Sequence, residues 1–193
     1  LVGNGGSVTA IKDEKCVDTS MGFTPHAGIM MGTRSGDIDV SIVPYIMEKE
    51  GKTAGEIMND LNKKSGFLGV SELSSDSRDI EQGIKDGNEK CILAEEMFVN
   101  SVVKYIAQYY VLLEHVDAIA FTAGIGENSP ETRAAIIDKL ACLGIKIDPE
   151  ANNVRGKFAK ISTDDSTVKV FVVPTNEELM IARDTLNIIN RTS

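Results

Sequence analysis

An apolar run, Asp117-Ala118-Ile119-Ala120-Phe121-Thr122, passes without a break into Ala123-Gly124-Ile125-Gly126 and then Ser129-Pro130-Glu131. No other stretch constrains the fold as tightly. The apolar run reads as a buried strand. Ser, Pro and Glu in that order are an N-cap, a first-turn proline and a first-turn acid, so a helix opens there. Between strand and helix the glycines remove Cβ atoms, and backbone can lie flat against a ligand. The helix start adds unpaired N–H groups and positive potential. In α/β sheets, ligands collect at such carboxyl ends of strands. A lone GxG is also what a plain tight turn needs. The dinucleotide pattern GxGxxG is not met, because Ser129 stands where the third Gly belongs.

The rest of the chain agrees with α/β layering. Residues 7–12 and 15–19 read as strands joined at Asp13-Glu14. Asn4-Gly5 is a tight-turn signal, so a segment before Leu1 is expected to end in a strand pairing with 7–12. Pro25 to Met31 reads as a short helix or loop, and Val40 to Lys49 as a helix. Thr53-Ala54-Gly55-Glu56 is a capping box, with Gly66 closing its helix. Gly69 to Asp79 reads as a polar loop. Asn88 to Glu114 is the longest helical pattern, with Ile92, Met97, Val102, Ile106, Tyr109 and Leu113 as its apolar face. A helix from Pro130 stops at Gly144. Strands at 158–162 and 168–173 and a closing helix at 176–190 complete a mixed sheet with flanking helices.

Composition excludes several classes. The 193 residues carry a net charge of −9, which argues against nucleic-acid and anionic-membrane partners. No apolar run approaches the roughly 20 residues of a membrane span. Cys16, Cys91 and Cys142 are scattered, without a CxxC pair, which suits inert thiols in a reduced, cytoplasmic compartment.

Several polar motifs carry chemistry. Gly3-Asn4-Gly5-Gly6 can present successive N–H groups to phosphate oxygens, or be an ordinary hairpin turn. Arg34, in Met31-Gly32-Thr33-Arg34-Ser35-Gly36-Asp37, can fork two oxygens of a phosphoryl or carboxylate group, or pair with Asp37 or Asp39. In Asp76-Ser77-Arg78, the Arg suits base stacking and the Asp a ribose hydroxyl; a helix cap beside a solvated Arg fits equally. In Pro174-Thr175-Asn176-Glu177-Glu178, Thr175 reads as the N-cap and Glu178 as its capping-box partner. That leaves Glu177 for a metal carried by phosphates, or for the helix dipole. His26 reads as peripheral, and His115 as a helix-end residue.

Taken in order, GNGGSVTAI, DTSMGFTP, MGTRSGDID, FTAGIGENS and PTNEEL resemble the acetate kinase family over nearly all 193 residues. The resemblance implies an actin-like, ribonuclease-H-like α/β domain, and the reversible transfer of phosphate from ATP to acetate, giving ADP and acetyl phosphate. It implies that Arg34 stabilises the transferring phosphoryl group and that Glu177 serves Mg²⁺. It assigns ATP contacts to Gly3, Asn4 and Gly5, to Asp76, Ser77 and Arg78, and to Gly124, Ile125, Gly126, Glu127 and Asn128. It also implies a homodimer, with residues 1–193 as the C-terminal nucleotide-binding half, inactive without an N-terminal domain. Propionate or butyrate as the acceptor, and a non-catalytic nucleotide-binding or dimerisation module, are the competing readings. The pattern departs from the family at Leu1, where His is usual, at Val40, where Pro is usual, and at His26-Ala27, where Leu-Glu is commoner.

Overall fold

The computed structural model describes residues 1–3 and 5–192, and only the backbone of Glu177, Arg191 and Thr192. Asn4 therefore lies outside the described residues. The chain opens with a hairpin of β1 (Thr9–Lys12) and β2 (Lys15–Thr19), antiparallel, with Thr9 opposite Thr19 and a bulge between Ala10 and Ile11. Asp13 and Glu14 make its turn, both at positive φ (51° and 61°). A loop leads to α1 (Ile42–Glu50), α2 (Ala54–Lys63), α3 (Gly66–Ser71) and α4 (Ser77–Lys85). The long α5 (Glu89–Leu112) then feeds β3 (Ala118–Phe121). After it come α6 (Ala123–Asn128), α7 (Pro130–Lys139), a 3₁₀ turn at Ala141–Leu143 and α8 (Pro149–Asn152). Strands β4 (Ala159–Lys160) and β5 (Lys169–Val172) and the helix α9 (Glu177–Thr192) close the chain. The second sheet is mixed, in the order β3-β5-β4: β3 runs parallel to β5, and β4 antiparallel.

Helix α5 is the hub. Its buried stripe is Cys91, Ala94, Phe98, Val102, Ile106 and Tyr109, at steps of three and four. Ile92 and Met97, expected on this face, are 45% and 44% exposed instead. The expected stripe was one residue out of phase at its start, because Cys91 and Ala94 are small and carry a weak apolar signal. Small size is what the site needs: a Cβ on Gly83 of α4 would lie 2.5 Å from the Cys91 sulfur. Phe67 of α3 packs against Phe98 with the rings tilted by 39° and their centroids 4.9 Å apart. Thr132 of α7 donates to Glu95 at 2.7 Å.

The region read as a polar loop, Gly69 to Asp79, overlaps the end of α3 and the start of α4. Gly66 does not close α2; it opens α3, at φ +61°. A Cβ there would sit 2.0 Å from the Met31 carbonyl oxygen. That close approach lets Phe67 and Leu68 N–H donate to the carbonyls of Met31 and Gly32 at 2.9 and 3.0 Å. The loop carrying Arg34 is thereby fastened to the helical layer. The capping box at Thr53 and Glu56 forms as the spacing predicts.

Two strand edges face each other across a slot of ≈ 530 Å³ floored by Val102, Ile106 and Tyr109. At its head, Val2 N–H donates to the Thr122 carbonyl at 2.9 Å, while Leu1 and Ser7 exchange both backbone bonds. Val2 thus joins the hairpin to the end of β3.

Gly66 and Gly51 share a left-handed conformation, yet a Cβ on Gly51 meets nothing within 4 Å. Gly51→Ala should cost about 1 kcal/mol of strain alone. Gly66→Ala should cost roughly 3 kcal/mol or more, because backbone must move; urea melts separate the two. Glu95 supplies a pH prediction. Burial raises its carboxyl above 4.5, with the Thr132 bond opposing and the Glu81 charge adding. The folded chain binds that proton more tightly than the unfolded one, so this contribution to stability falls as pH rises from 4.5 through the raised value. Glu95→Gln should melt higher than the parent at neutral pH and lose that advantage at pH 4.

Candidate functional site

Three segments far apart in sequence meet at the head of β3. A Cβ on Gly3 would lie 3.3 Å from the Gly5 carbonyl, 3.7 Å from the Gly124 nitrogen and 3.8 Å from the Ala123 Cβ. One on Gly5 would lie 3.6 Å from Arg34 Nη1. Gly3, Gly5, Gly124 and Arg34 are therefore neighbours, and of the three glycines only Gly3, against the Gly5 carbonyl, is tight for a side chain.

The donors at this point are distributed differently from the sequence expectation. Residues 123–128 are not a bare loop leading to a capped helix; they are a helix, α6. Ala123 N–H goes to Glu127 Oε1 at 2.9 Å, and Ile125 and Gly126 N–H go to the Val2 carbonyl at 2.8 and 3.1 Å. Ser129 caps α7 through the Thr132 amide, and both residues are buried. The expected row of unpaired helix amides is thus largely spent inside the fold, leaving Gly124 N–H beside the Gly3 turn. Ala123 sits at φ +64°, a strained conformation for a residue with a Cβ, and its bond to Glu127 holds it there.

Glu127 reaches further. Its Oε1 also accepts from Thr175 N–H at 2.9 Å and Thr175 Oγ1 at 3.0 Å. One carboxylate oxygen therefore ties the glycine turn to the Pro174–Glu178 motif. This overturns the capping box at Thr175. The cap of α9 is Asn176, whose Oδ1 accepts from Leu179 N–H at 3.1 Å, and Glu178 stands one position earlier in the helix than expected. The Glu177 side chain lies outside the described residues. Ile125 is buried, and Asn128 donates to the Gly124 carbonyl at 2.9 Å.

Arg34 is half-buried and does not pair with Asp37 or Asp39. Nη1 donates to the Pro25 carbonyl at 3.0 Å and lies 3.6 Å from the Met31 sulfur. Asp37 instead accepts from Gly28 N–H at 2.8 Å and from the Tyr105 hydroxyl at 2.5 Å. Burial first, then the Asp37 bond, push the Tyr105 phenol well above its ordinary range. His26, read as peripheral, is engaged at both ring nitrogens, by Asn62 and Ser35. His115, expected at a helix end, lies three residues beyond α5, exposed and 3.1 Å from Asp117.

Asp76 and Arg78 keep to themselves. Asp76 caps α4 by accepting from Arg78 N–H at 2.9 Å, and its carboxylate binds the same guanidinium at 2.5 Å. The Arg78 side-chain and backbone bonds hold the Asp76 carboxyl down at about 2. Behind α6 the guanidinium of Arg133, wholly buried, donates to the carbonyls of Gly126, Asn152 and Val154 and to Asn152 Oδ1 at 2.7–2.9 Å. Burial, with Arg155 adding, lowers it to about 10. The sequence motifs do not mark Arg133 as an anchor and set His26 at the periphery, because their partners lie in other segments. A charged residue in the first turn of a helix otherwise patterned for burial was the only signal for Arg133.

A mixed sheet under helices that superposes on acetate kinase structures is an α/β domain of the actin-like, ribonuclease-H-like ATPase fold. The chain belongs to the acetokinase family, whose model matches residues 1–183. It is 57% identical over 186 residues to an acetate kinase of Aster yellows witches'-broom phytoplasma, covering 96% of this chain and 45% of that protein. The crystal structure of Porphyromonas gingivalis acetate kinase superposes with a TM-score of 0.93 at 47% identity, covering 97% of this chain and 47% of that one. A propionate kinase structure from Francisella tularensis superposes at 0.89 and 45% identity, covering 94% and 46%. The chain spans about half the length of the relatives it matches.

Glu127 and Arg78 separate scaffold from surface. Glu127→Ala leaves three donors without their acceptor and should cost about 2 kcal/mol. Faster amide exchange at Thr175 should accompany the loss. Arg78→Ala removes an exposed pair and should shift stability by no more than about 0.5 kcal/mol. Denaturant melts with hydrogen exchange test both.

Proposed function

We propose that this chain is the nucleotide-binding, C-terminal half of an acetate kinase, whose whole carries out ATP + acetate ⇌ ADP + acetyl phosphate. The observation that carries the reading is the meeting of Gly3, Gly5, Gly124 and Arg34 at one point. In such a transfer an acetate oxygen attacks the γ-phosphorus, the bond to the β–γ bridging oxygen breaks, and ADP leaves with the bond's electrons. The protein's task is positioning and charge neutralisation. Gly3, Gly5 and Gly124 offer backbone at contact distance from phosphate. The planar Arg34 fork spreads positive charge over the transferring oxygens. Ile125, Gly126, Glu127 and Asn128 complete the nucleotide segment, and the bonds of Glu127 and Asn128 hold its turn in shape for the nucleotide. Adenosine contact by Asp76, Ser77 and Arg78 requires their exposed ion pair to open, which costs about 1 kcal/mol or less.

Magnesium fits the same arrangement. The Glu127–Thr175 bonds bring the start of α9 to the glycine turn, and Glu177 opens that helix two residues later. One carboxylate beside bound phosphates suits Mg²⁺, which would draw charge from the β- and γ-oxygens. The family pattern further supports a homodimer. The buried face of α5 is consumed by the core, so the exposed Ile92, Leu93 and Met97 on its other side are the better candidates for that contact. Exposed thiols at Cys16 and Cys142 suit the cytoplasm.

The likeness to a propionate kinase, nearly equal to that to an acetate kinase, favours a second reading in which propionate is the acceptor. Butyrate belongs to the same chemistry. The slot between β1 and β3 supports the half-enzyme reading over a self-sufficient module, because apolar residues of both strands and of α5 line a space open for a further segment.

In the full-length kinase, Arg34→Lys keeps charge but loses the fork. Turnover should fall about 100-fold or more while nucleotide affinity changes little. A loss confined to KM for ATP would overturn the role given to Arg34. The isolated chain, with ATP, Mg²⁺, acetate and hydroxylamine to trap acetyl phosphate, should give only background.

A further inference from the structure

His26 has both ring nitrogens committed, and its partners fix the proton inventory. Asn62 Nδ2 donates to the Met58 carbonyl at 2.8 Å, which turns Asn62 Oδ1 toward the ring. That oxygen only accepts, so His26 Nδ1, 3.0 Å away, carries a proton. On the other side, Ser35 Oγ lies 3.0 Å from His26 Nε2 and 3.0 Å from the Gly36 carbonyl. With a neutral ring, the Ser35 hydroxyl donates to Nε2. With a charged ring, Nε2–H donates to Ser35, whose own proton turns to Gly36. Both bonds to the ring persist in either state.

The clamp closes a circuit around Arg34. Ser35 follows Arg34 in the chain. Asn62 lies near the end of α2, where the Thr33 hydroxyl and the Ser35 amide also bond, to the carbonyls of Asn62 and Leu61 at 2.9 and 3.0 Å. On the other arm, Pro25 precedes His26, and its carbonyl receives Arg34 Nη1. The Pro25 carbonyl lies in one peptide plane with the His26 nitrogen, so holding His26 holds that carbonyl. We propose that His26 is a positioning residue: by pinning residues 25–26 to Ser35 and Asn62, it holds the Arg34 guanidinium on the Pro25 carbonyl, beside Gly5. Its consequence for turnover rests on the role proposed for Arg34; the positioning itself does not.

Rotation of the Arg34 guanidinium about its Nε–Cζ bond, read by ¹⁵N NMR on the 193-residue chain, tests this. Arg34 should rotate slowly in the parent. In His26→Leu it should rotate several-fold faster, approaching the exposed Arg183, while the buried Arg133 stays slow as a control for the fold. An Arg34 rate unchanged in His26→Leu, with Arg133 slow, would overturn the proposal. If Arg133 also loosens, the fold has been damaged, and His26→Gln and Asn62→Leu, each severing one arm, decide instead. Intermediate Arg34 rates support the clamp, and parental rates in both refute it. In the full-length kinase, His26→Leu should lower kcat several-fold with KM for ATP within about twofold. A freed Arg34 with parental kcat would leave the clamp standing and remove Arg34 from the chemistry.

Discussion

Arg133 carries a full charge in the interior and bonds there to neutral oxygens alone. Taking a guanidinium out of water costs several kcal/mol. Here the cost is offset by four bonds to oxygens of Gly126, Asn152 and Val154, strengthened by the charge and the low-dielectric surroundings. Those oxygens belong to α6, to α8 and to the loop after it. The position of α6, and with it the glycine turn, thus depends on a side chain reaching from α7. Removing Arg133 would take a donor from oxygens in α6, in α8 and in the loop after it at once.

Around that anchor, the glycine motif divides its labour. Val2 lends its carbonyl to two amides of α6 and its N–H to the end of β3. Glu127 gathers three donors from two segments. These bonds consume most of the polar groups that the motif would otherwise offer a ligand. What remains accessible is backbone exposed by absent side chains, at Gly3, Gly5 and Gly124, next to one guanidinium. The strain at Ala123 is held by the same carboxylate that brings in α9, so the shape of the turn and the placing of Glu177 are coupled.

The Arg34 loop is held by the same logic. Its carbonyls receive amides of α3, which approach only because Gly66 has no Cβ. Its side chain rests on a carbonyl fixed by His26. Under the role proposed for Arg34, a side chain gains from losing its rotamer freedom before the ligand arrives.

How much of this was legible depends on the range of each bond. The Thr53–Glu56 box, the Ser129-Pro130 start, the Asp13-Glu14 hairpin and the α/β class are set by residues within a few positions, and the sequence by itself determined them. The ordered motifs determined the family as well. Tertiary structure decided the rest. Glu127 meets Thr175 across 48 residues and His26 meets Asn62 across 36, so no local pattern records either pair. Thr175 gave up its capping box because Glu127, a charged acceptor, takes the Thr175 N–H that Glu178 would have received, and Asn176 caps the helix instead. The Gly66–Ser71 helix was missed because glycine ends helices more often than it begins them; only the Met31 carbonyl above it explains its place. Local hydrogen bonds are written in neighbouring residues, whereas a site assembled from distant segments exists only once packing has brought them together.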